Sequence, residues 1–243
     1  MEYVVEVDRL NKFYGKFHAL KDVSFKVNVG EVYGLIGPNG AGKTTTLRII
    51  ATLLLPSSGV VKVFGMDVVR EAEKIRSIIS YLPEEAGAYK YLSGYEYLQF
   101  MASFYVDDED KLKTILEDAK IICGLGERLK DKVGTYSKGM LRRLLVARSL
   151  MIHPKLAILD EPTAGLDVIH SHYVRRIIRD YVEKYRITMI ISSHNMLEVE
   201  FLCDRIALIH EGRIVLEGSP KELKDEFSAN NLEEVFAKVT RIA

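Results

Sequence analysis

The run Gly37-Pro38-Asn39-Gly40-Ala41-Gly42-Lys43-Thr44 is a full match to G-x-x-x-x-G-K-[ST]. Glycines in that pattern let the backbone curl, so that successive N–H groups face phosphate oxygens. The lysine reaches the β- and γ-phosphates and the hydroxyl holds Mg²⁺. The apolar run Val32 to Gly37 before it and a helical pattern from Lys43 to about Thr52 after it supply the strand and helix that such a loop requires. The helix then aims its positive end at the anion. A second candidate is Leu156-Ala157-Ile158-Leu159-Asp160-Glu161, an apolar strand ending in two carboxylates. Ligands of parallel sheets gather at the carboxyl edge. Asp160 there suits Mg²⁺, held through water beside the phosphate loop, and Glu161 suits a base or polariser for an attacking water. An acid after an apolar run is common by itself. Beside a phosphate loop it reads as the second half of a nucleoside triphosphate site.

Tyr136-Ser137-Lys138-Gly139-Met140 opens a helical pattern that runs from Lys138 to Met151. Ser137 and the first N–H groups of that helix form an anion site, though the pentapeptide in isolation reads more readily as a helix cap. The phosphate loop, this Ser-x-Gly motif, Asp160-Glu161, Asp167 and His194 follow one another in an order that resembles the ATP-binding-cassette ATPases. The family's signature is usually LSGGQ; Ser137 and Gly139 match it, and the first, third and fifth positions depart.

The resemblance covers roughly residues 3 to 218 and implies ATP and Mg²⁺ as ligands. Nucleotide contacts carry over to Tyr14 and to Gly37, Pro38, Asn39, Gly40, Ala41, Gly42, Lys43, Thr44 and Thr45. Tyr14 stands where the family stacks an aromatic on adenine, with Phe13 and Phe17 nearby as core-packing residues. Catalytic roles fall to Glu161, Lys43 and His194, the last resembling a γ-phosphate-sensing switch; Thr44, Asp160 and Glu84 fall to the metal. Glu84 replaces the Gln usual at that joint. Ser137, Lys138 and Gly139 would complete the ATP site of a partner in a head-to-tail dimer, with Asp167 on a loop crossing the interface. The implied partners are a separate integral-membrane permease and a second ATPase subunit, identical or different, with no nucleic acid. The implied location is cytoplasmic, peripheral on the inner face of the membrane. Glu84, the Ser-Lys-Gly-Met signature and the ending Asn231 to Phe236 look like the ABC-2 branch, mostly exporters. An amino-acid-type importer ATPase and a soluble non-transport cassette protein are the alternatives. A kinase or GTPase of the same loop leaves Ser137 and His194 unexplained.

These residues need a scaffold. Residues 2–8 and 22–28 alternate apolar and polar, as half-buried antiparallel strands do. Apolar runs of strand length recur at 78–82, 156–159, 187–191 and 205–209, mostly separated by helical patterns. The fold class expected is α/β: a P-loop NTPase core with a mostly parallel sheet, an N-terminal antiparallel β subdomain and an inserted all-helical lobe. The expected division is one ABC ATPase domain over 1–243, with core segments 1–87 and 152–218, a lobe at 88–151 and short C-terminal helices at 219–243. The lobe carries a tyrosine cluster (Tyr89, Tyr91, Tyr95, Tyr97), read as an exposed permease-docking surface or as the lobe's own core. Composition agrees with a globular chain: 48% hydrophobic and 28% charged over 243 residues. Lys+Arg and Asp+Glu both number 34, so no global field draws the chain to nucleic acid or an anionic membrane. Cys123 and Cys203 have no CxxC or zinc spacing, which excludes a disulfide scaffold.

Overall fold

The structure is a computed structural model and describes residues 3–242, with side-chain burial through residue 240. Two long strands open the chain, β1 (Tyr3–Tyr14) and β2 (Phe17–Asn28), followed by β3 (Val32–Ile36) and α1 (Lys43–Ile50). Next come β4 (Ser58–Val63), β5 (Met66–Asp67), α2 (Ala72–Arg76) and β6 (Ile79–Leu82). Three helices then follow without an intervening strand: α3 (Gly94–Ala102), α4 (Glu109–Cys123) and α5 (Lys138–Leu150). The chain returns through β7 (Leu156–Asp160), α6 (Val168–Tyr185), β8 (Thr188–Ser193), α7 (Met196–Leu202), β9 (Arg205–His210) and β10 (Arg213–Gly218). It finishes with α8 (Pro220–Glu226) and α9 (Leu232–Ile242).

The strands make two sheets. An antiparallel one has the order β2-β1-β4-β5, and a six-stranded one the order β10-β9-β3-β8-β7-β6. Every pairing in the second is parallel except β10 on β9. β3, β7 and β8 are buried along their whole length, which explains their continuous apolar sequences. One apolar cluster packs the antiparallel sheet and α1 onto one face of the parallel sheet; the other packs α3, α4, α5 and α6 onto the opposite face.

Several elements differ from the sequence reading. β1 and β2 run past the alternating stretches to a hairpin tip at Gly15, so Leu10 to Tyr14 also lies in β1. β4 and β5 have no sequence-level signal: in Ser58–Val63 only Val61 and Val63 face the core, and Gly59 carries a φ of 90°. β10 is joined to β9 by Glu211 and Gly212, both at positive φ (46° and 80°), the geometry of a two-residue hairpin turn. Helix α1 stops at Ile50, two residues early, because Thr52 takes a left-handed φ of 62°. Tyr97 is only 2% exposed and belongs to the core, whereas Tyr89 and Tyr91 are 57% and 90% exposed. The exposed aromatics of the lobe are therefore Tyr89, Tyr91, Phe100, Phe104 and Tyr105, of which Tyr89, Phe100 and Phe104 meet edge to face.

Candidate functional site

Strand order places the chemistry. β8 lies between β3 and β7, with Ile36 opposite Ser193 and Asp160 opposite Ser192. The phosphate loop, the Ser193-His194 end and the Asp160-Glu161 end thus leave adjacent strands at one sheet edge. The loop is shaped by close approach: a Cβ at Gly37 would lie 2.2 Å from the Ile209 carbonyl oxygen, and Gly42 turns into α1 with a φ of 112°. Around its mouth is a cleft of about 320 Å³ lined by Tyr14, Phe17, Pro38 to Gly40, Gly42 to Thr45, Glu84 and Glu161. Phe17 is exposed and lines this cleft rather than packing the core. Phe13 is also partly exposed, with its ring stacked on His18 at 3.9 Å.

The Lys43 ammonium is buried and donates to the carbonyls of Gly37 (2.7 Å) and Pro38 (3.2 Å), while standing 3.3 Å from Glu161 Oε1. Glu161 Oε2 lies 2.8 Å from His194 Nδ1 and accepts the His194 backbone N–H at 3.4 Å. No donor hydrogen-bonds to Glu161 Oε1 among the described residues, so this buried oxygen retains acceptor capacity. The Glu161 backbone sits at φ 48°, unusual for a non-glycine residue. Its N–H is held by Ser192 Oγ (3.0 Å) and the Ser192 carbonyl (3.1 Å). Asp160 is fully buried and accepts from Ser192 Oγ and from Tyr81 Oη at 3.3 Å. Burial, and behind it the Asp160 charge, pushes the Tyr81 phenol up to about 12. A group so hard to ionise serves Asp160 as a lasting proton donor.

Ser137, Lys138, Gly139 and Asp167 are not among the residues lining that cleft. Ser137 caps α5 by accepting the Met140 N–H at 3.2 Å, and Asp167 caps α6 by accepting the His170 N–H at 2.9 Å. The His170 N–H bond, with a second from the His170 ring at 2.8 Å, holds the Asp167 carboxyl below the usual carboxylate range. The two caps touch. A Cβ on Gly139 would lie 2.2 Å from His170 Cδ2, and one on Gly165 would lie 2.0 Å from Lys138 Nζ.

Residues 20–164 match the sequence profile of the ABC transporter family. The chain belongs to that family. It is 36% identical over 219 residues to the ABC transporter ATP-binding protein NatA of Bacillus subtilis, covering 90% of this chain and 89% of that one. Identity to the bacitracin transport ATP-binding protein BcrA of Bacillus licheniformis is 37% over 218 residues, 89% of this chain and 70% of the relative. Among solved structures, an ATP binding subunit of an ABC transporter superposes with a TM-score of 0.86 at 29% identity, over 98% of this chain and 99% of that one. The cbiO1 subunit of Clostridium perfringens gives 0.84 at 30%, over 98% and 95%. The chain is therefore an ABC ATPase: it binds ATP, and its hydrolysis is coupled to transport.

Two residues of this ABC site escape the sequence reading. Arg142, on the buried face of α5, reaches the carbonyls that follow both β6 and β7. A signal was available, since Gly139, Arg142, Leu145 and Ser149 form one buried stripe and Arg142 is its one charge. Glu198 was missed too. It is 1% exposed on α7, and burial pushes its carboxyl up while Ser193 Oγ donates to it at 2.6 Å, steadying the residue before His194.

Proposed function

We infer that this chain is the ATP-hydrolysing subunit of an exporter, in which Glu161 activates water against a γ-phosphate held by Lys43. The single observation that carries this is the buried Glu161 carboxylate at the cleft, with one oxygen facing Lys43 at 3.3 Å and the other against His194 at 2.8 Å. Phosphate oxygens compete with the Gly37 and Pro38 carbonyls and with Glu161 for the Lys43 ammonium, which frees the carboxylate to take a proton. His194 then reports the γ-phosphate through the same carboxylate. Tyr14 and Phe17 offer aromatic faces to the base, a contact that tolerates any base.

Thr44 and Glu84 line the cleft and Asp160 lies fully buried behind it; all three carry hard oxygen donors suited to Mg²⁺. Among the described residues no three His, Cys, Asp or Glu side chains cluster into a closed cage, which suits an ion completed by phosphate and water. Such an ion supplies neutralisation of the phosphate charge. Ser137, Lys138 and Gly139, which the cleft of their own chain does not include, serve the ATP of a second subunit in a head-to-tail dimer.

Export is supported by the names of relatives, which include the bacitracin transport protein and a daunorubicin/doxorubicin resistance ATP-binding protein of Streptomyces peucetius, 37% identical over 228 residues. No described helix is long and apolar enough to cross a membrane. The permease is taken as a separate chain because the relatives are themselves named as ATP-binding proteins of transport systems. The ATPase lies peripherally on the inner face, and the permease docks at a groove of about 260 Å³ between Leu53, Arg76, Tyr81, Met101, Tyr105 and Arg148, which shares Tyr105 with the exposed aromatics. Lys43→Ala is the direct test of the ATP site. It removes the side-chain cation placed at the phosphate loop, so nucleotide titration is expected to show most triphosphate affinity lost and hydrolysis abolished. Unchanged affinity and turnover would show that this loop does not hold the nucleotide.

A further inference from the structure

Arg142 spends its whole donor capacity on the backbone. Nε donates to the Pro162 carbonyl at 2.8 Å; Nη1 donates to those of Pro83 (3.1 Å) and Glu84 (3.0 Å); Nη2 donates to those of Asp160 (2.9 Å) and Glu161 (2.7 Å). A guanidinium has five N–H groups, and here each finds a main-chain carbonyl. The side chain is 6% exposed. Burial opposes its charge, and the carboxylates of Glu198, Asp160, Glu84 and Glu161 support it. Burying a cation among carbonyls is costly unless all its donors are satisfied, and here they are.

The three segments so joined are the ones the chemistry uses. Asp160 to Pro162 is the turn on which Glu161 stands, and Pro83-Glu84 is the joint between β6 and the helical lobe. The third is α5, capped by Ser137. Glu161 needs such support because its φ of 48° is sparsely populated for a non-glycine residue, and surroundings must over-determine such a conformation. The Glu161 N–H is fixed by Ser192 and its carbonyl by Arg142 and the Ala164 N–H (3.1 Å). Fixing both neighbouring peptide planes fixes the direction of the Cα–Cβ bond, and with it where the carboxylate points.

We propose that Arg142 is a positioning residue that aims the Glu161 carboxylate and ties its turn to the Glu84 joint and to the Ser137-capped helix. This rests on the reading of Glu161 as the base. A displacement of the joint after β6, or of α5, then reaches Glu161 through one rigid planar group rather than through a chain of apolar contacts. Lysine cannot replace it: an ammonium has three donors and no planar fork.

The test is a four-member cycle in the full chain: wild type, Arg142→Lys, Glu161→Gln and the double variant. ATP turnover, KM and nucleotide affinity are measured for each. Arg142→Lys is expected to lower kcat by about 10- to 100-fold, the cost of misplacing a reacting group by about 1 Å, with KM and affinity changed less than about twofold. In the Glu161→Gln background the same substitution is expected to change the residual rate by less than about twofold, since no base remains to be aimed. If the two losses multiply, or if Arg142→Lys keeps wild-type kcat, the positioning role is overturned. If Glu161→Gln turns over like wild type, the reading of Glu161 as base falls instead. Should Arg142→Lys fail to fold, Arg142→Gln, which removes the buried charge and keeps two donors, enters the same cycle with the same expected outcomes.

Discussion

Glu161→Gln separates binding from chemistry because of how the carboxylate is held. One oxygen faces the Lys43 ammonium at 3.3 Å and the other faces His194 Nδ1 at 2.8 Å. The amide isostere fits this frame in one orientation. Its carbonyl oxygen faces Lys43, and its NH2 donates to His194 Nδ1 when that ring carries its proton on Nε2. The opposite orientation sets N–H groups against the ammonium and is disfavoured. The His194 backbone N–H, 3.4 Å from Oε2, loses its acceptor, but at that length the bond is weak. The fold and the phosphate loop therefore survive, and what is lost is basicity. General-base catalysis contributes about 10²- to 10⁴-fold, which is about 3 to 5 kcal/mol on the barrier.

The expected variant binds ATP with near-wild-type affinity and hydrolyses it at least about 100-fold more slowly. In the proposed head-to-tail dimer, where Ser137 of a second subunit meets the γ-phosphate, slow hydrolysis is expected to trap a dimer with two ATP molecules enclosed. Turnover, equilibrium nucleotide binding and light scattering with and without ATP are the assays. Turnover within about threefold of wild type would refute Glu161 as base, since so small a loss lies below any general-base contribution. A strictly monomeric species at saturating ATP would remove the shared-site mechanism for the isolated subunit and leave dimerisation to the permease.

Two further substitutions probe other surfaces. Gly139→Ala gains about 0.5–1 kcal/mol of helix propensity, but its Cβ would stand 2.2 Å from His170 Cδ2, and overpacking of this kind costs about 1–3 kcal/mol. The expected result is a lower melting temperature and reduced ATP turnover; a rise in melting temperature with full activity would show that the His170–Asp167 contact yields freely. Tyr91→Ser combined with Tyr89→Ser is expected to release or uncouple the permease. Tyr91 is 90% exposed, and Tyr89 makes edge contacts with Phe100 at 5.6 Å and Tyr97 at 6.2 Å, so a melting-temperature loss is expected from the second substitution only. Co-purification with the membrane fraction and thermal unfolding read the two effects separately; a lower melting temperature with no change in docking would assign Tyr89 to the lobe's own packing and remove both tyrosines from the docking surface.

What the sequence shows plainly is whatever has a local period or a fixed spacing. β3, β7 and β8 announce themselves as short apolar runs because both faces of a central parallel strand are buried. Their ends carry the phosphate loop, Asp160-Glu161 and His194, so the site at the sheet edge is legible almost entirely from adjacency in sequence. β4 is not legible, because its burial comes from the pairing with β1 and only two of its side chains face inward. Tyr97 shows the same limit from the other side. Nothing in its type distinguishes it from Tyr89 or Tyr91, and only its place on the inner face of α3 makes it core. Arg142 was legible in principle as a charge in an apolar stripe, yet its five acceptors are backbone atoms, which no side-chain pattern records.

Ser137 and Asp167 differ in kind from these. Within one chain each is a helix cap with its bonds satisfied, and the physics of the single chain asks for nothing more of either residue. Capping can be performed by Ser, Thr, Asp or Asn alike, so cap chemistry alone does not explain why Gly139 must admit the His170 ring or why Lys138 lies over Gly165. Those close approaches bind the two helix starts together outside the lining of their own chain's cleft. A patch built so tightly around an anion-attracting helix end is accounted for if its ligand arrives on another subunit. A site shared between chains in this way leaves only half of its logic in either sequence, and the resemblance to a family is what supplies the other half.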